Sequence, residues 1–282
     1  KELNATRTPK KLGHIKLPKE VDIVSSLKKT EESECVFLAV PTQNLAIFCE
    51  NNNSFLKDRP LIACCKGIDQ ATGLRPSEIL NKYSSRVAVI SGPSFAIDIS
   101  MGMPTALVLA STKSDFLKQL QYDISMQNFR LYRTSDVVGV ELGGALKNII
   151  AIACGVAIGA KQGDSARAAL MTRGFSEMVA FAKAHGAKEK TLSGLSGLGD
   201  LSLTCNSEKS SNFVFGMSLG CGKTFHKNTT VEGVATAFAV SQKAEIMGLE
   251  MPITSAVSAL LSGSVSTDAI IHSLLSRPPK EE

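Results

Sequence analysis

GVELGGALKNIIAIACG, residues 139–155, is the stretch on which the reading of this chain turns. Thirteen of its seventeen residues are glycine, alanine or larger apolar side chains, and its one cysteine behaves as a small hydrophobe. The segment is built to be buried, yet Glu141 stands near its start and Lys147-Asn148 at its centre. A lone lysine among apolar residues usually snorkels its ammonium to water. On a helix, however, Lys147 stacks between Gly143-Gly144 on one side and Ile150-Ala151 on the other. Each glycine weakens a helix by roughly 1 kcal/mol relative to alanine, a cost that points to something approaching the backbone closely. A buried lysine is also the long side chain most easily brought toward neutral pKa, and so used as a proton donor or acceptor. The stretch reads as part of a site without naming a reaction.

Upstream of it, short β-rich runs alternate with helical patterns. CVFLAV (35–40), PLIACC (60–65), VAVIS (87–91), TALVLAS (105–111) and FRLYRT (129–134) read as strands, the central ones almost continuously apolar. Strands buried on both faces have that composition, which predicts a parallel or mixed sheet covered by helices. Between them PTQNLAIFCENN, PSEILNKY, PSFAIDIS and SDFLKQLQYD open at a proline or serine, as helices do. From Val137 onward long helical patterns take over, at 137–160, 164–185, 208–220, 232–247 and 253–262. The expected architecture is α/β plus all-α. A partial, Rossmann-like doubly wound domain spans residues 1–136, and a helical domain spans 137–282. A doubly wound dinucleotide-binding domain begins with a strand and a G-x-G-x-x-G turn, and nothing of that form precedes residue 35. Either the first domain lacks its first strand and glycine turn, or it binds no dinucleotide.

Composition narrows the class. The chain has 282 residues, 44% of them hydrophobic, and a formal charge of +5 whose excess lies mostly before residue 137. That mild asymmetry fits a pocket for an anionic small molecule better than a nucleic-acid surface, which needs clustered Lys and Arg. The densest basic segment, KELNATRTPKKLGHIK, reads as a solvated loop. Seven cysteines form no C-x-x-C pair and the four histidines are scattered, so no metal site is expected. Several cysteines sit in apolar runs, as reduced core thiols of a cytosolic protein would. No apolar run of membrane-spanning length free of charge or glycine is seen, and no signal peptide opens the chain, so no membrane partner is expected.

Several stretches then fall together in order: CKGID (65–69), SGPSFA (91–96), VELGGALKNIIAIACG, SGLGDLSLTC (196–205), SEKSSNFVFG (207–216) and TVEG (230–233). They closely resemble the glycerol-3-phosphate dehydrogenase family in its bacterial NAD(P)-dependent form, from about Leu3 to the last residue. The resemblance implies reversible reduction of dihydroxyacetone phosphate to glycerol 3-phosphate with NAD or NADP, supply of glycerol 3-phosphate to phospholipid synthesis, and a cytoplasmic homodimer. It places the proton-transfer lysine at Lys147, with Asn148 as a neutral partner. Lys66 falls near both substrate and nicotinamide, and Asp200 holds the lysines and contacts the substrate, with Thr204 adding a hydroxyl. Gly92 and Ser94 are implied as substrate contacts and Ala96 as a cofactor contact. Thr230 and Glu232 lie against the cofactor in the same match. Each has a plainer alternative: a helix cap at SGPSFA, a loop lysine at Lys66, an exposed helix-start glutamate at Glu232.

One position departs from the pattern. The family's Ser-Arg-Asn is here Ser210-Ser211-Asn212, so a bidentate arginine clamp on the substrate phosphate, also in touch with the cofactor, is replaced by Ser211. A charge-assisted contact of roughly 1.5–3 kcal/mol is gone, although neutral donors and a helix start remain. The stretch from Phe215 to Glu232 is also shorter than the pattern. Two rival readings stay open on these grounds: a catalytically weak binding or regulatory homologue, and a related dehydrogenase with another small substrate.

Overall fold

The computed structural model describes residues 2–223 and 231–275. The opening basic segment is not loop throughout. It holds α1 (Glu2–Thr6) and a 3-10 turn at Lys10–Leu12, neither with a buried residue. The sheet region then runs β1 (Val36–Leu38), α2 (Thr42–Asn51), α3 (Asn53–Leu56), β2 (Leu61–Ala63), α4 (Pro76–Leu80) and β3 (Val87–Ser91). It continues through α5 (Ala96–Ser100), β4 (Thr105–Ala110), α6 (Ser114–Ile124) and β5 (Phe129–Thr134). The strands lie in chain order, with β1, β2 and β3 parallel, β4 antiparallel to β3, and β5 parallel to β4. The reversal at β4 follows from its connection. Five-residue α5 is only about 7.5 Å long and cannot carry the chain back along a strand of about 20 Å.

Each face of the sheet has its own core. On one face α2, α4 and the first turns of the next helix bury Leu45, Cys49, Ile79, Leu80 and Val140 against Leu61, Val87 and Val89. On the other, Leu117 and Leu120 of α6 pack on Ile62, Ala88 and Leu109.

The helical region comprises α7 (Val137–Gly159), α8 (Gly163–Ala184), α9 (Glu189–Leu192), a single π-turn (Leu195–Gly199), α10 (Asp200–Cys205), α11 (Ser211–Gly220), α12 (Glu232–Ile246), α13 (Pro252–Leu261) and α14 (Thr267–Leu275). Asp136 starts α7 by accepting a hydrogen bond from Gly139 N at 2.9 Å, and its other oxygen accepts one from Lys188 N at 2.9 Å. Every residue from Gly139 to Ala157 is buried, so α7 is the axis of the third and largest core. By length and composition alone it is apolar enough to cross a membrane, with mean hydropathy 1.7, although Glu141, Lys147 and its glycines interrupt the run as the sequence reading had it. That apolar surface is turned inward instead, 89% of it buried inside the protein.

Helix α11 lies against α7 with almost no side chain between them. A Cβ on Gly155 or Gly159 of α7 would overlap the carbonyl oxygen of Phe213 or Met217. Reciprocally, a Cβ on Gly216 or Gly220 of α11 would overlap that of Ile152 or Val156. Glycines four apart on both helices let the backbones touch, which maximises dispersion contact along the shared seam. Helix α11 begins at Ser211 rather than at 208, because the Ser210 hydroxyl caps it by accepting from Phe213 N at 3.3 Å.

Candidate active site

The two glycines beside Lys147 each make room for a different neighbour. A Cβ on Gly143 would lie 2.5 Å from the Ser196 carbonyl oxygen, so the π-turn presses directly on α7 and delivers Asp200, fully buried, at the start of α10. A Cβ on Gly144 would lie 2.7 Å from Ser91 Oγ and 3.5 Å from Cγ and Cδ of Lys66. That vacancy admits Lys66 from the end of β2. Protein groups rather than a ligand therefore explain the cost of the glycines.

The result is a shared carboxylate. Lys147 Nζ donates to Asp200 Oδ1 at 2.5 Å, and Lys66 Nζ donates to Asp200 Oδ2 at 2.6 Å. Lys147 Nζ also donates to Thr204 Oγ1 at 2.8 Å, and that hydroxyl, one turn along α10, donates to Asp200 O at 2.6 Å. Lys66 additionally donates to Gly92 O at 3.3 Å. The Lys147 side chain is 8% exposed and that of Lys66 20%, so Lys147 does not snorkel while Lys66 faces the cleft. Burial, with the like charge of Lys66, lowers the Lys147 pKa to about 8 against the pull of Asp200. Two ammoniums facing one carboxylate leave a net positive site, suited to an anionic substrate or an oxygen gaining charge. Glu232, at the first position of α12, lies near enough to feel both lysines. Burial pushes its carboxyl up, and the two lysines oppose that shift.

The other expected residues divide. Asn148 is 3% exposed, and its side-chain amide makes no hydrogen bond among the described residues, so it is free to meet a ligand. Gly92, with φ 145°, follows β3 and turns the chain toward Ser94, whose hydroxyl reaches no closer than 3.5 Å to Gly92 O. Lys66, Ser91 and Ser94 line a cavity of about 510 Å³ at the carboxyl ends of β2 and β3. Ala96 starts α5 and lies outside that lining. Ser210 and Asn212 already carry structural bonds. Ser210 is the α11 cap, and Asn212 Oδ1 accepts from Gly233 N at 3.0 Å. That second bond draws the N-termini of α11 and α12 together, with Ser211 at the first position of α11. Thr230 lies outside the described residues.

Ser91 and Ser196 went unremarked in the sequence, although both stand in stretches quoted above. Their hydroxyls are buried without a hydrogen-bond partner. Ser91, beside Lys66 in the lining of an apolar cavity, carries a hydroxyl with no partner among the described residues, which a carboxamide would satisfy. The residues present thus fit the nicotinamide end of a dinucleotide.

Family models match the chain on both sides of this site. The NAD-dependent glycerol-3-phosphate dehydrogenase N-terminus covers residues 1–117, and the C-terminus of the same family covers residues 136–272. A glycerol-3-phosphate dehydrogenase [NAD(P)+] of Roseobacter denitrificans is 49% identical over 99% of this chain and 88% of its own length. One from Cereibacter sphaeroides is 50% identical over 95% of this chain and 88% of its own length. Among solved structures, glycerol-3-phosphate dehydrogenase from Coxiella burnetii superposes with a TM-score of 0.92 at 34% identity, covering 98% of this chain and 88% of that one. A glycerol-3-phosphate dehydrogenase from Plasmodium falciparum shares the fold at 19% identity and a TM-score of 0.86. With both halves matched and relatives aligned across nearly the whole chain, this protein belongs to the NAD-dependent glycerol-3-phosphate dehydrogenase family.

Proposed function

We propose that the chain interconverts dihydroxyacetone phosphate and glycerol 3-phosphate, with Lys147 as the proton donor and acceptor. The observation that carries this reading is the buried Asp200 carboxylate shared by Lys147 and Lys66. When bound, NADH or NADPH would supply the hydride for reduction of the carbonyl carbon, and NAD+ or NADP+ would accept it in oxidation. As that carbon gains a hydride, its oxygen becomes an alkoxide, and an ammonium within hydrogen-bond reach stabilises and protonates it. A pKa of about 8 suits Lys147 to both directions, because a modest change in pH moves it between acid and base. Asp200 orients both lysines, Thr204 fixes a second direction of the Lys147 ammonium, and Lys66 adds positive charge on the cleft side.

The substrate phosphate is assigned to the N-terminus of α11. Ser211 and the remaining donor capacity of Ser210 and Asn212 offer neutral hydrogen bonds there, and the adjoining start of α12 adds its dipole. Gly92, Ser94 and Ala96 belong to the same reading as contacts of the substrate and nicotinamide side, Asn148 as a substrate donor, and Thr230 and Glu232 as cofactor contacts. Residues 1–136 would carry the cofactor and residues 137–282 the substrate. A cytoplasmic homodimer feeding phospholipid synthesis completes the reading, on the strength of the family resemblance. Steady-state reduction of dihydroxyacetone phosphate by the full chain, with NADH and NADPH in separate assays, tests the assignment. Turnover with either one supports it, and none with both overturns it.

A further inference from the structure

Glu141 is a carboxylate inside the apolar core that the chemistry above does not use. Its side chain is 2% exposed, and all its bonds run to one short segment. Oε1 accepts from Ser77 N at 2.7 Å. Oε2 accepts from Ser77 Oγ at 2.7 Å and from Arg75 Nη1 at 3.0 Å. Arg75 is fixed in turn by Glu78, which accepts from Arg75 Nη2 at 2.9 Å and Arg75 N at 2.8 Å. Burying a carboxyl, which desolvation pushes up to about 7, and closing three hydrogen bonds on the start of α4 is a costly way merely to fill a core, where a leucine would pack without desolvation.

The loop that Glu141 grips is the one that carries Lys66. Residues 66–75 follow β2 by two residues and run from Lys66 to Arg75 through a turn closed on itself. Gly73 N donates to Asp69 O at 2.8 Å, Asp69 N to Leu74 O at 2.9 Å, and Thr72 N to Asp69 Oδ2 at 2.8 Å. Ile68 is buried in the helical core, and Thr42 Oγ1 donates to Lys66 O at 3.0 Å. These bonds make residues 66–75 one connected turn between Lys66 and Arg75. Along α7, Glu141 and Gly144 lie one turn apart on one face, and Lys147 stands about 9 Å further along the axis from Glu141. Both ends of the loop therefore rest on the helix that bears Lys147.

We propose that Glu141 is a positioning residue for proton transfer: it clamps the 66–75 loop to α7 and so sets Lys66 against Asp200 and Lys147. This rests on the roles given above to Lys147 and Lys66. Releasing the clamp lets Lys66 withdraw, which costs rate through misplacement. It also removes a like charge from Lys147, whose facing groups are Asp200, Lys66, Glu232 and the Cys205 thiol.

The test is a double-mutant cycle on the full chain, with Glu141→Gln, Lys66→Met and both together, read by single turnovers of dihydroxyacetone phosphate across pH. Glu141→Gln should lower the rate by about ten- to a hundredfold and move its alkaline limb upward. In the Lys66→Met background the same change should alter rate and limb by less than about twofold, because the clamp acts only through Lys66. Equal effects in both backgrounds would overturn the inference while leaving the role of Lys66 standing. A Lys66→Met protein as fast as the parent would overturn both. If Glu141→Gln does not fold, Ser77→Ala, which removes one of the three donors, enters the same cycle with the same criteria.

Discussion

Asp200→Asn removes the charge shared by Lys147 and Lys66 while keeping the shape of the side chain. The two ammoniums then face each other across a neutral amide, and the main attraction opposing the burial that already lowers Lys147 to about 8 is gone. Relative to a free lysine at 10.5, that shift amounts to about 3 kcal/mol held against the charged form. Without Asp200 the folded pKa falls further, and Lys147 gives up its proton more readily than it stays charged. Deprotonation caps the penalty at pH 7 at about 5 kcal/mol, so the added loss of stability through Lys147 is only about 1–2 kcal/mol. The sign follows from a folded pKa below the unfolded one. The penalty is full in acid and is relieved as pH rises through the folded value toward 10.5. Activity should suffer far more. A neutral Lys147 cannot protonate the alkoxide, and two charge-assisted contacts of about 1.5–3 kcal/mol each are lost, so ketone reduction at pH 7 should fall at least a hundredfold. Acidifying the assay should return part of it, since protons put back the ammonium. Steady-state reduction of dihydroxyacetone phosphate from pH 5.5 to 8 beside urea unfolding at pH 7 measures both, with circular dichroism as a check on the fold. Retention of more than a third of the parent rate at pH 7, or a stability loss beyond about 4 kcal/mol with the pH profile unmoved, would refute this account of the carboxylate.

Lys147→Ala should abolish turnover and leave the fold intact by circular dichroism, and Lys147→Arg should fail too, because guanidinium holds its proton near neutral pH. A tenth of the parent rate in either variant would remove Lys147 from the mechanism. In the unaltered protein, glycerol 3-phosphate oxidation should rise and dihydroxyacetone phosphate reduction fall as pH passes about 8, since one needs Lys147 neutral and the other charged; matching limbs in the two directions would contradict this. Ser211→Arg should tighten phosphate-substrate binding by about ten- to a hundredfold at low salt and less at high salt. Calorimetric titration that finds no change would place the phosphate away from α11. Gly216→Ala should cost about 1–3 kcal/mol, seen as a lowered melting temperature, because the backbone of Ile152 stands where the methyl must go.

How much of this could be read beforehand varied with the physics involved. The strands and the five long helices were visible because apolar periodicity reports which faces are buried, and burial is what the fold decides first. The antiparallel turn at β4 was not, since a strand buried on both faces has the same composition whichever way it runs. The π-turn and α10 hid inside SGLGDLSLTC, where glycines signal a loop although here they signal close approach to α7. Lys147 stood out as a charge among hydrophobes. Glu141 stood out for the same reason, but its role depends on Arg75 and Ser77, far away along the chain and meaningless until the loop is folded against it. Ser210 and Asn212 were expected to face a ligand. They also hold the starts of α11 and α12, an occupation that no local pattern announces.

The seam between α7 and α11 also bears on how this protein can change over evolutionary time. What stands opposite Gly155, Gly159, Gly216 and Gly220 is in each case a peptide carbonyl, not a side chain. Every amino acid carries that carbonyl, so no substitution across the seam can retreat to admit a larger residue. A second-site suppressor has nothing to trim, and the four positions should vary with no partner at all. Coevolution between residues, a useful guide to contacts elsewhere, will be silent along this seam.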